Sequence, residues 1–300
     1  MTKHFIDFDN LSFEVLQDII DCAIALKKQH NESAINNSLK NKTLAMIFDK
    51  SSTRTRVSFE AGMAQLGGHA LFLSNNDIQL GRGEPITDSA IVISSMVDAV
   101  ILRISSHEDI IEFSKHSNKP VINALSDLSH PCQILADLMT YQEQKGSING
   151  KKVVWIGDGN NVCQTYMQAA EIFGFELTIA TPNGYEPNQS FVESYQNNIN
   201  YCSNPMDACE VADLVVTDVW TSMGNESEQK QRESAFKGYQ VDQKMMSAAN
   251  SDALFMHCLP AHRGEEVSKD VIDGKQSVVW HEAENRLHAQ KALLLHLIKA

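Results

Sequence analysis

Ser51-Ser52-Thr53-Arg54-Thr55-Arg56-Val57-Ser58-Phe59-Glu60 joins two different periodicities. Ahead of it, Thr43-Leu44-Ala45-Met46-Ile47-Phe48 reads as a short buried strand. Behind it, Phe59, Met63 and Leu66 recur at spacings of four and three, one face of a helix. Gly67-Gly68 then supplies a left-handed stop. The hydroxyl-rich piece therefore lies where a strand turns into a helix N-terminus. There the first backbone N–H groups lack partners within the helix, and the dipole is positive. Ser52 or Thr53 is placed to cap that end. Arg54 adds a forked cation matched to phosphate or carboxylate. Together these parts predict an anion site. Residues two apart on a helix are rotated by about 200°, so Arg54 and Arg56 point in nearly opposite directions. One should grip the anion and the other a structural partner; Glu60, four residues after Arg56, is the candidate.

The same strand–helix alternation continues outward. Ala99–Ile104 and Pro120–Leu125 read as strands, with a helix at 107–116 between them and another opening at His130-Pro131. After the polar stretch 142–150 the pattern restarts: strands at 153–156, 177–180, 214–219 and 253–257 alternate with helices, and a last helix covers 284–299. Thr87-Asp88 is expected to cap the helix that leads to Ala99. Residues 221–238 form a charged, glycine-punctuated insertion with the composition of a mobile lid. The fold class expected is α/β: two doubly wound parallel-sheet domains, residues 1–145 and 146–300, with an active-site cleft between them. The C-terminal helix, 284–300, is expected to pack back on the first domain.

Three hundred residues suffice for two such cores, and 43% hydrophobic and 21% charged residues are those of a soluble globular chain. A net charge of −13 makes it a poor partner for nucleic acid or an anionic membrane. No apolar run is long enough to span a bilayer. The first residues, Met1 to Asp7, show neither a signal core nor transit character, and the six cysteines include no C-x-x-C pair. A reducing cytoplasm is the expected location.

The unusual polar residues gather at strand carboxyl ends. Arg54 follows the first strand, and Arg103 lies near the end of the 99–104 strand. His130 and Gln133 follow 120–125, Asn161 follows 153–156, Asp218 sits in 214–219, and Cys258 ends 253–257. Taken singly, each has an ordinary reading: a helix cap, a turn, a packed thiol. Their shared registration argues for one site. Gly157-x-Gly159-x-x-Val162 is close to a dinucleotide fingerprint but lacks the third glycine. The following strand ends in Thr181-Pro182 where an acidic ribose ligand belongs, so no nicotinamide cofactor is expected. His257, Cys258 and His262 are too few and too adjacent for a zinc site, and no metal is expected.

Four segments now carry a resemblance. Ser52-Thr53-Arg54-Thr55-Arg56, His130-Pro131-Cys132-Gln133, Asp218-Val219-Trp220-Thr221-Ser222-Met223-Gly224 and His257-Cys258-Leu259-Pro260 resemble, in order, the signatures of the aspartate/ornithine carbamoyltransferase family. The last two are similar to its ornithine-using branch. The resemblance covers essentially the whole chain. It implies transfer of a carbamoyl group from carbamoyl phosphate to L-ornithine, giving L-citrulline and phosphate, a step of arginine biosynthesis. It also implies a homotrimer with shared active sites, a first domain for carbamoyl phosphate and a second for ornithine, and no cofactor. By the same carry-over, Ser52, Thr53, Arg54 and Thr55 hold the phosphate. Arg103 spans phosphate and carbonyl oxygen, His130 reaches that oxygen, and Gln133 binds the carbamoyl amino group. Gln79 reaches a neighbouring subunit's site, Cys258 and Leu259 lie where the substrates meet, and Arg286 completes the clamp. Asn161, Asp218, Ser222 and Met223 hold ornithine. Arg54, Arg103, His130, Asp218 and Cys258 are the residues expected to act in the chemistry. Aspartate would need cations where Ser222-Met223-Gly224 stands, and putrescine lacks the groups Asp218 would hold; these are the alternative acceptors.

Carbamoyl phosphate is labile in water, so closure of the 221–238 insertion should follow its binding. Carbamoyl phosphate is expected to add first. Initial-velocity and product-inhibition patterns should be those of an ordered mechanism; random addition would reject this reading.

Overall fold

Residues 3–74, 83–221 and 228–299 are described by a computed structural model. The chain divides into two compact units, Met1–Met139 with Glu284–Ala300, and Thr140–Ala283.

In the first unit a single 3-10 turn, Phe8–Asn10, precedes α1 (Phe13–Asn31). There follow β1 (Thr43–Phe48), α2 (Thr53–Gln65), β2 (His69–Ser74), α3 (Ile86–Met96), β3 (Ala99–Arg103), α4 (His107–His116), β4 (Val121–Leu125) and α5 (Pro131–Lys145). The strands form one parallel sheet in the order β2-β1-β3-β4. From the second residue of β1 onward, and throughout β3, every residue is buried, as expected of parallel strands covered on both faces. Edge strand β2 is partly exposed. Phe5 makes an isolated parallel bridge to Ile122, which ties the start of the chain beside β4.

The second unit contains β5 (Lys152–Ile156), α6 (Asn161–Phe173), β6 (Glu176–Ala180), α7 (Gln189–Ser194), β7 (Ile199–Tyr201), α8 (Pro205–Ala208) and β8 (Leu214–Thr217). It continues with α9 (Gln229–Ala235), α10 (Gln243–Ala248), β9 (Leu254–His257) and α11 (Lys269–Ile272). Its sheet is also parallel, in the order β7-β6-β5-β8-β9. The last helix, α12 (Val279–Lys299), starts in this unit and contributes Glu284 onward to the first.

Each sheet reverses its winding once. From β1 the chain goes to β2 on one side and returns to β3 on the other. From β5 it runs outward through β6 and β7, then returns to β8. The helices that follow the two central strands are on opposite faces at such a point, and a crevice opens at the strands' carboxyl ends. The switch points are therefore β1/β3 and β5/β8. Arg54 and Arg103 belong to the first, Asn160 and Asp218 to the second.

The structure moves three boundaries. The last helix begins at Val279, because the apolar pair Val278-Val279 is buried ahead of the charged segment. The helix α3 starts at Ile86 after Pro85, without a side-chain cap; Thr87 instead donates its hydroxyl to Asp88. Within 221–238, α9 occupies Gln229–Ala235. Its Arg232 is buried and donates to Asp158 at 2.7 Å and to the Trp220 carbonyl at 2.9 Å.

Gly157 and Gly159 have a packing explanation. Gly157 has φ +135°, a conformation that side chains rarely adopt. A Cβ on Gly159 would lie 2.2 Å from the Pro187 nitrogen and 2.4 Å from the Glu186 carbonyl carbon. The chain's own backbone thus fills the close approach that a pyrophosphate uses in a dinucleotide site. Gly159→Ala should lower unfolding stability by about 1–3 kcal/mol, as overpacking does. The urea midpoint should fall with an unchanged slope; an unshifted midpoint would contradict the packing argument.

Candidate active site

In the first unit, Ser52 is the N-cap of α2 and accepts from the Thr55 amide at 3.3 Å. Arg54 occupies the first turn and is half-buried. Arg56, on the other side of the helix, meets Glu60 at 3.4 Å and stacks its guanidinium 3.8 Å above the centre of the Phe72 ring. The two arginines have the separate surroundings that the rotation argument requires. Arg103 ends β3 where its register against β4 slips between Leu102 and Arg103. A slip of this kind re-aims a side chain, and Arg103 is 5% exposed. The turns after β1 and β3 are joined: the Asp49 amide donates to the Arg103 carbonyl at 3.0 Å, and the Ser105 amide donates to the Asp49 carboxylate at 2.8 Å.

Arg286 of α12 reaches the same unit and is buried. It donates to Gln133 Oε1 at 2.5 Å and to Thr55 Oγ1 at 3.2 Å. The hydrogen-bond network assigns the Gln290 amide with its oxygen toward Arg286, at 3.2 Å from Nε and 3.1 Å from Nη2. Gln133 in turn donates to Asp137 at 2.8 Å. Because Thr55 Oγ1 accepts from Arg286, its own proton is directed away from that guanidinium. His130 opens α5 and is 4% exposed. A network that sequence reading missed shapes the turn before it. The Ser126 amide donates to the Ser129 carbonyl at 2.9 Å, Asn123 donates to Ser129 Oγ at 3.0 Å, and His107 lies between Ser126 at 2.8 Å and Asp7 at 3.1 Å.

In the second unit Asp218 follows β8 and is 7% exposed. Its Oδ2 accepts from Asn160 Nδ2 at 2.8 Å, and its Oδ1 accepts from the Val219 amide at 2.8 Å and the Cys258 thiol at 3.0 Å. Asn160 also caps α6, with its Oδ1 accepting from the amides of Val162 and Cys163. Asn161 is the first residue of that helix and is half-buried. Cys258 and Leu259 follow β9, and the Leu259–Pro260 bond is cis. Gln79, Ser222 and Met223 lie outside the described residues.

Asp218, His257 and Cys258 bring ligand-type atoms within 4.8 Å of one another. Both ring nitrogens of His257 are engaged: Nδ1 accepts from the Leu259 amide at 2.9 Å, and Nε2 meets Glu266 at 3.0 Å. Of this set only Cys258 bonds Asp218, and neither imidazole nitrogen of His257 is open to an ion.

Comparison with known proteins decides the family. A model described as the carbamoyl-P binding domain of aspartate/ornithine carbamoyltransferase matches residues 3–143, and one described as its Asp/Orn binding domain matches 149–297. The chain belongs to the aspartate/ornithine carbamoyltransferase family. The ornithine carbamoyltransferase of Ruthia magnifica subsp. Calyptogena magnifica is 65% identical over 298 residues, 99% of this chain and 100% of that one. The ornithine carbamoyltransferase structure from Pyrococcus furiosus is 46% identical, with a TM-score of 0.96 over 99% of this chain and 97% of that one. That from Burkholderia thailandensis E264 is 50% identical, with a TM-score of 0.92 over 99% and 98%.

His130 reports the burial and the field of the first unit. Burial holds its pKa well below the ordinary imidazole value, and the positive charges of Arg286, Arg103 and Arg54 push it the same way. Three guanidinium groups therefore act on one buried ring, which is neutral and can donate an N–H but carries no proton to give away. A neutral histidine in such a position is an electrophile for an oxygen that gains charge.

Its pH behaviour follows. A histidine buried neutral is lost to protonation more readily in the unfolded chain, so its contribution is complete above the unfolded pKa of about 6.5 and stability falls as pH drops below it, by up to about 1.4 kcal/mol per pH unit. Nitrogen-15 shifts of His130 should stay those of a neutral ring from pH 8 to pH 5.5. A protonated ring at pH 6 would contradict the assignment.

Proposed function

We propose that this chain transfers the carbamoyl group of carbamoyl phosphate to the side-chain amine of L-ornithine, giving L-citrulline and phosphate, in arginine biosynthesis. The observation that carries the reading is the buried neutral His130 within the field of Arg54, Arg103 and Arg286. A site for a phosphorylated donor needs fixed positive charge for the leaving phosphate and an uncharged donor for the carbonyl. Similarity over the full length to ornithine carbamoyltransferases supports the choice of acceptor.

On this reading the first unit takes carbamoyl phosphate and the second takes ornithine. Ser52, Thr53, Arg54 and Thr55 bind phosphate at the positive end of α2, assisted by Arg286 and, from a neighbouring subunit, Gln79. Arg103, His130 and Thr55 point donors at the carbonyl oxygen as nitrogen attacks. Each well-placed donor of that kind is worth roughly 3–4 kcal/mol in the transition state. Gln133 takes the carbamoyl amino group, with Cys258 and Leu259 beside it. Asp218, oriented by Asn160, holds the α-ammonium of ornithine together with Asn161, Ser222 and Met223. The amine attacks in its neutral form, a new C–N bond forms, the C–O bond to phosphate breaks, and the electron pair leaves with the phosphate. The nitrogen proton passes to a neighbouring base, with phosphate itself chemically able to take it.

The assembly proposed is a cytoplasmic homotrimer. Exposed apolar side chains on the first unit, Val57 of α2, Leu71 of β2 and Ile91, Val92 and Met96 of α3, provide surface for it. Light scattering should return the mass of three 33.4 kDa chains.

A colorimetric citrulline assay with ornithine, aspartate and putrescine offered separately tests the acceptor. Turnover should require ornithine; turnover with aspartate or putrescine in its place would reject the reading. Arg54→Gly should abolish turnover and phosphate-donor binding while the circular dichroism spectrum and melting temperature stay near those of the parent. Cys258→Ser should act mainly through the KM for ornithine. Unchanged ornithine kinetics in that variant would remove Cys258 from the site.

A further inference from the structure

His257 closes β9 and directly precedes the Cys258–Leu259 segment, yet its ring is fully buried. Its surroundings determine its tautomer. The Leu259 amide can only donate, and it points at Nδ1 from 2.9 Å, so Nδ1 presents a lone pair. The ring proton is therefore on Nε2, which donates to Glu266 Oε1 at 3.0 Å. Glu266 is also fully buried, and the same oxygen accepts from the His262 amide at 2.6 Å. On the other side, the His257 amide donates to the buried carboxylate of Glu282 at 2.9 Å. The backbone from 257 to 262 is thus held at three amides by two buried carboxylates and one imidazole.

The contact from Nδ1 to an amide two residues on has the form of a side-chain-closed turn, the kind asparagine and aspartate make. Here it spans Cys258. It holds Leu259 at φ +58°, which this residue adopts only when its surroundings impose it. With both ends of the turn fixed, the Cys258 thiol lies 3.0 Å from Asp218 Oδ1. Neither His257 nor Glu266 is exposed to a substrate.

We propose that His257 and Glu266 are positioning residues. The Glu266 carboxylate fixes the imidazole tautomer and orientation, and the imidazole holds the Leu259 amide so that the Cys258–Leu259 segment presents its groups to the substrates beside Asp218. This rests on the carbamoyl transfer proposed above. His257 then exchanges no proton during turnover, and its neighbour Cys258 owes its direction to it.

The test uses Glu266→Gln as the reference, since glutamine keeps Oε1 as the acceptor and leaves no stranded buried charge when the ring is removed. His257→Ala is added to one copy and His257→Asn to another. Asparagine can accept from the amide two residues on; alanine cannot. The full chain is assayed for citrulline with ornithine and carbamoyl phosphate varied. Amide exchange of Leu259 and binding of inorganic phosphate are measured on the same proteins. Relative to the reference, the alanine variant should lose on the order of 100-fold in kcat/KM for ornithine, the scale of an ångström-sized misplacement. The asparagine variant should recover at least about tenfold of that, and Leu259 exchange should be fast with alanine and slow with asparagine. Phosphate affinity and the pH profile should not move among the three. Equal kinetics in the alanine variant and the reference would overturn the proposal, as would an asparagine variant no better than alanine, or a shifted pH profile. If the parent enzyme makes no citrulline from ornithine, the function proposed above fails. The exchange measurement then decides the positioning claim alone: Leu259 equally protected in all three proteins overturns it.

Discussion

A guanidinium group removed from water needs acceptors in water's place, and the seat of Arg286 shows how the first unit supplies them. Arg103 and Arg286 are almost wholly buried, one at the end of a sheet strand and the other on the last helix. Arg286 is seated by three side-chain oxygens contributed by α2, α5 and its own helix. Those bonds also set how its neighbours can serve: Thr55 is left to donate, and the Gln133 amide is locked between Arg286 and Asp137. Burial, joined by the field of Arg286, Arg103 and Arg54, holds the His130 pKa well below the ordinary imidazole value. Removing any one of these cations weakens the attraction for an anion and relaxes part of the downward push on the ring's pKa, while burial still favours the neutral form. The three cations and the buried ring form one electrostatic unit.

Much of this was legible in the sequence because it is local. A strand that runs into a hydroxyl-rich helix start is recognisable within ten residues, and Ser52 caps the helix from the position expected of it. The opposite settings of Arg54 and Arg56 follow from helix rotation alone. What the sequence withheld is long-range or belongs to the backbone. No periodicity announces that β3 slips register at Arg103, or that Glu266 will lie under His257 nine residues upstream. Asn160 and Asn161 look alike in the chain, yet one side chain caps α6 and reaches Asp218, 58 residues away. The charged, glycine-punctuated composition of 221–238 suggests a lid and gives no local sign of α9, whose Arg232 pairs with Asp158, 74 residues away in the chain.

The two units solve related problems with opposite charge. Each places its polar groups at the carboxyl ends of a parallel sheet, at the point where the winding reverses. In the first unit the groups so placed are cations with a neutral histidine. In the second they are a carboxylate with an amide and a thiol directed at it. The chain as a whole carries a charge of −13, so the positive region is a local exception made against the general field. That exception is what an acidic protein requires to attract an anionic donor. An amino-acid acceptor with two amines is suited by the general field and needs only a fixed carboxylate to orient it.

The second unit also shows how an unremarkable glycine pair can mimic a cofactor fingerprint. In a dinucleotide site the second glycine admits a pyrophosphate close to the backbone. Here the space beside Gly159 is taken by Glu186 and Pro187, and the Gly159 amide donates to the Tyr185 carbonyl at 2.8 Å. The glycine is needed because another stretch of chain packs there, and the packing fixes the turn from which Asn160 projects. The same residues that would have cradled a cofactor in a related fold instead set the angle at which an asparagine meets Asp218. Fold-level likeness reaches as far as the strand–turn–helix; the atoms that fill the turn determine which chemistry it can support.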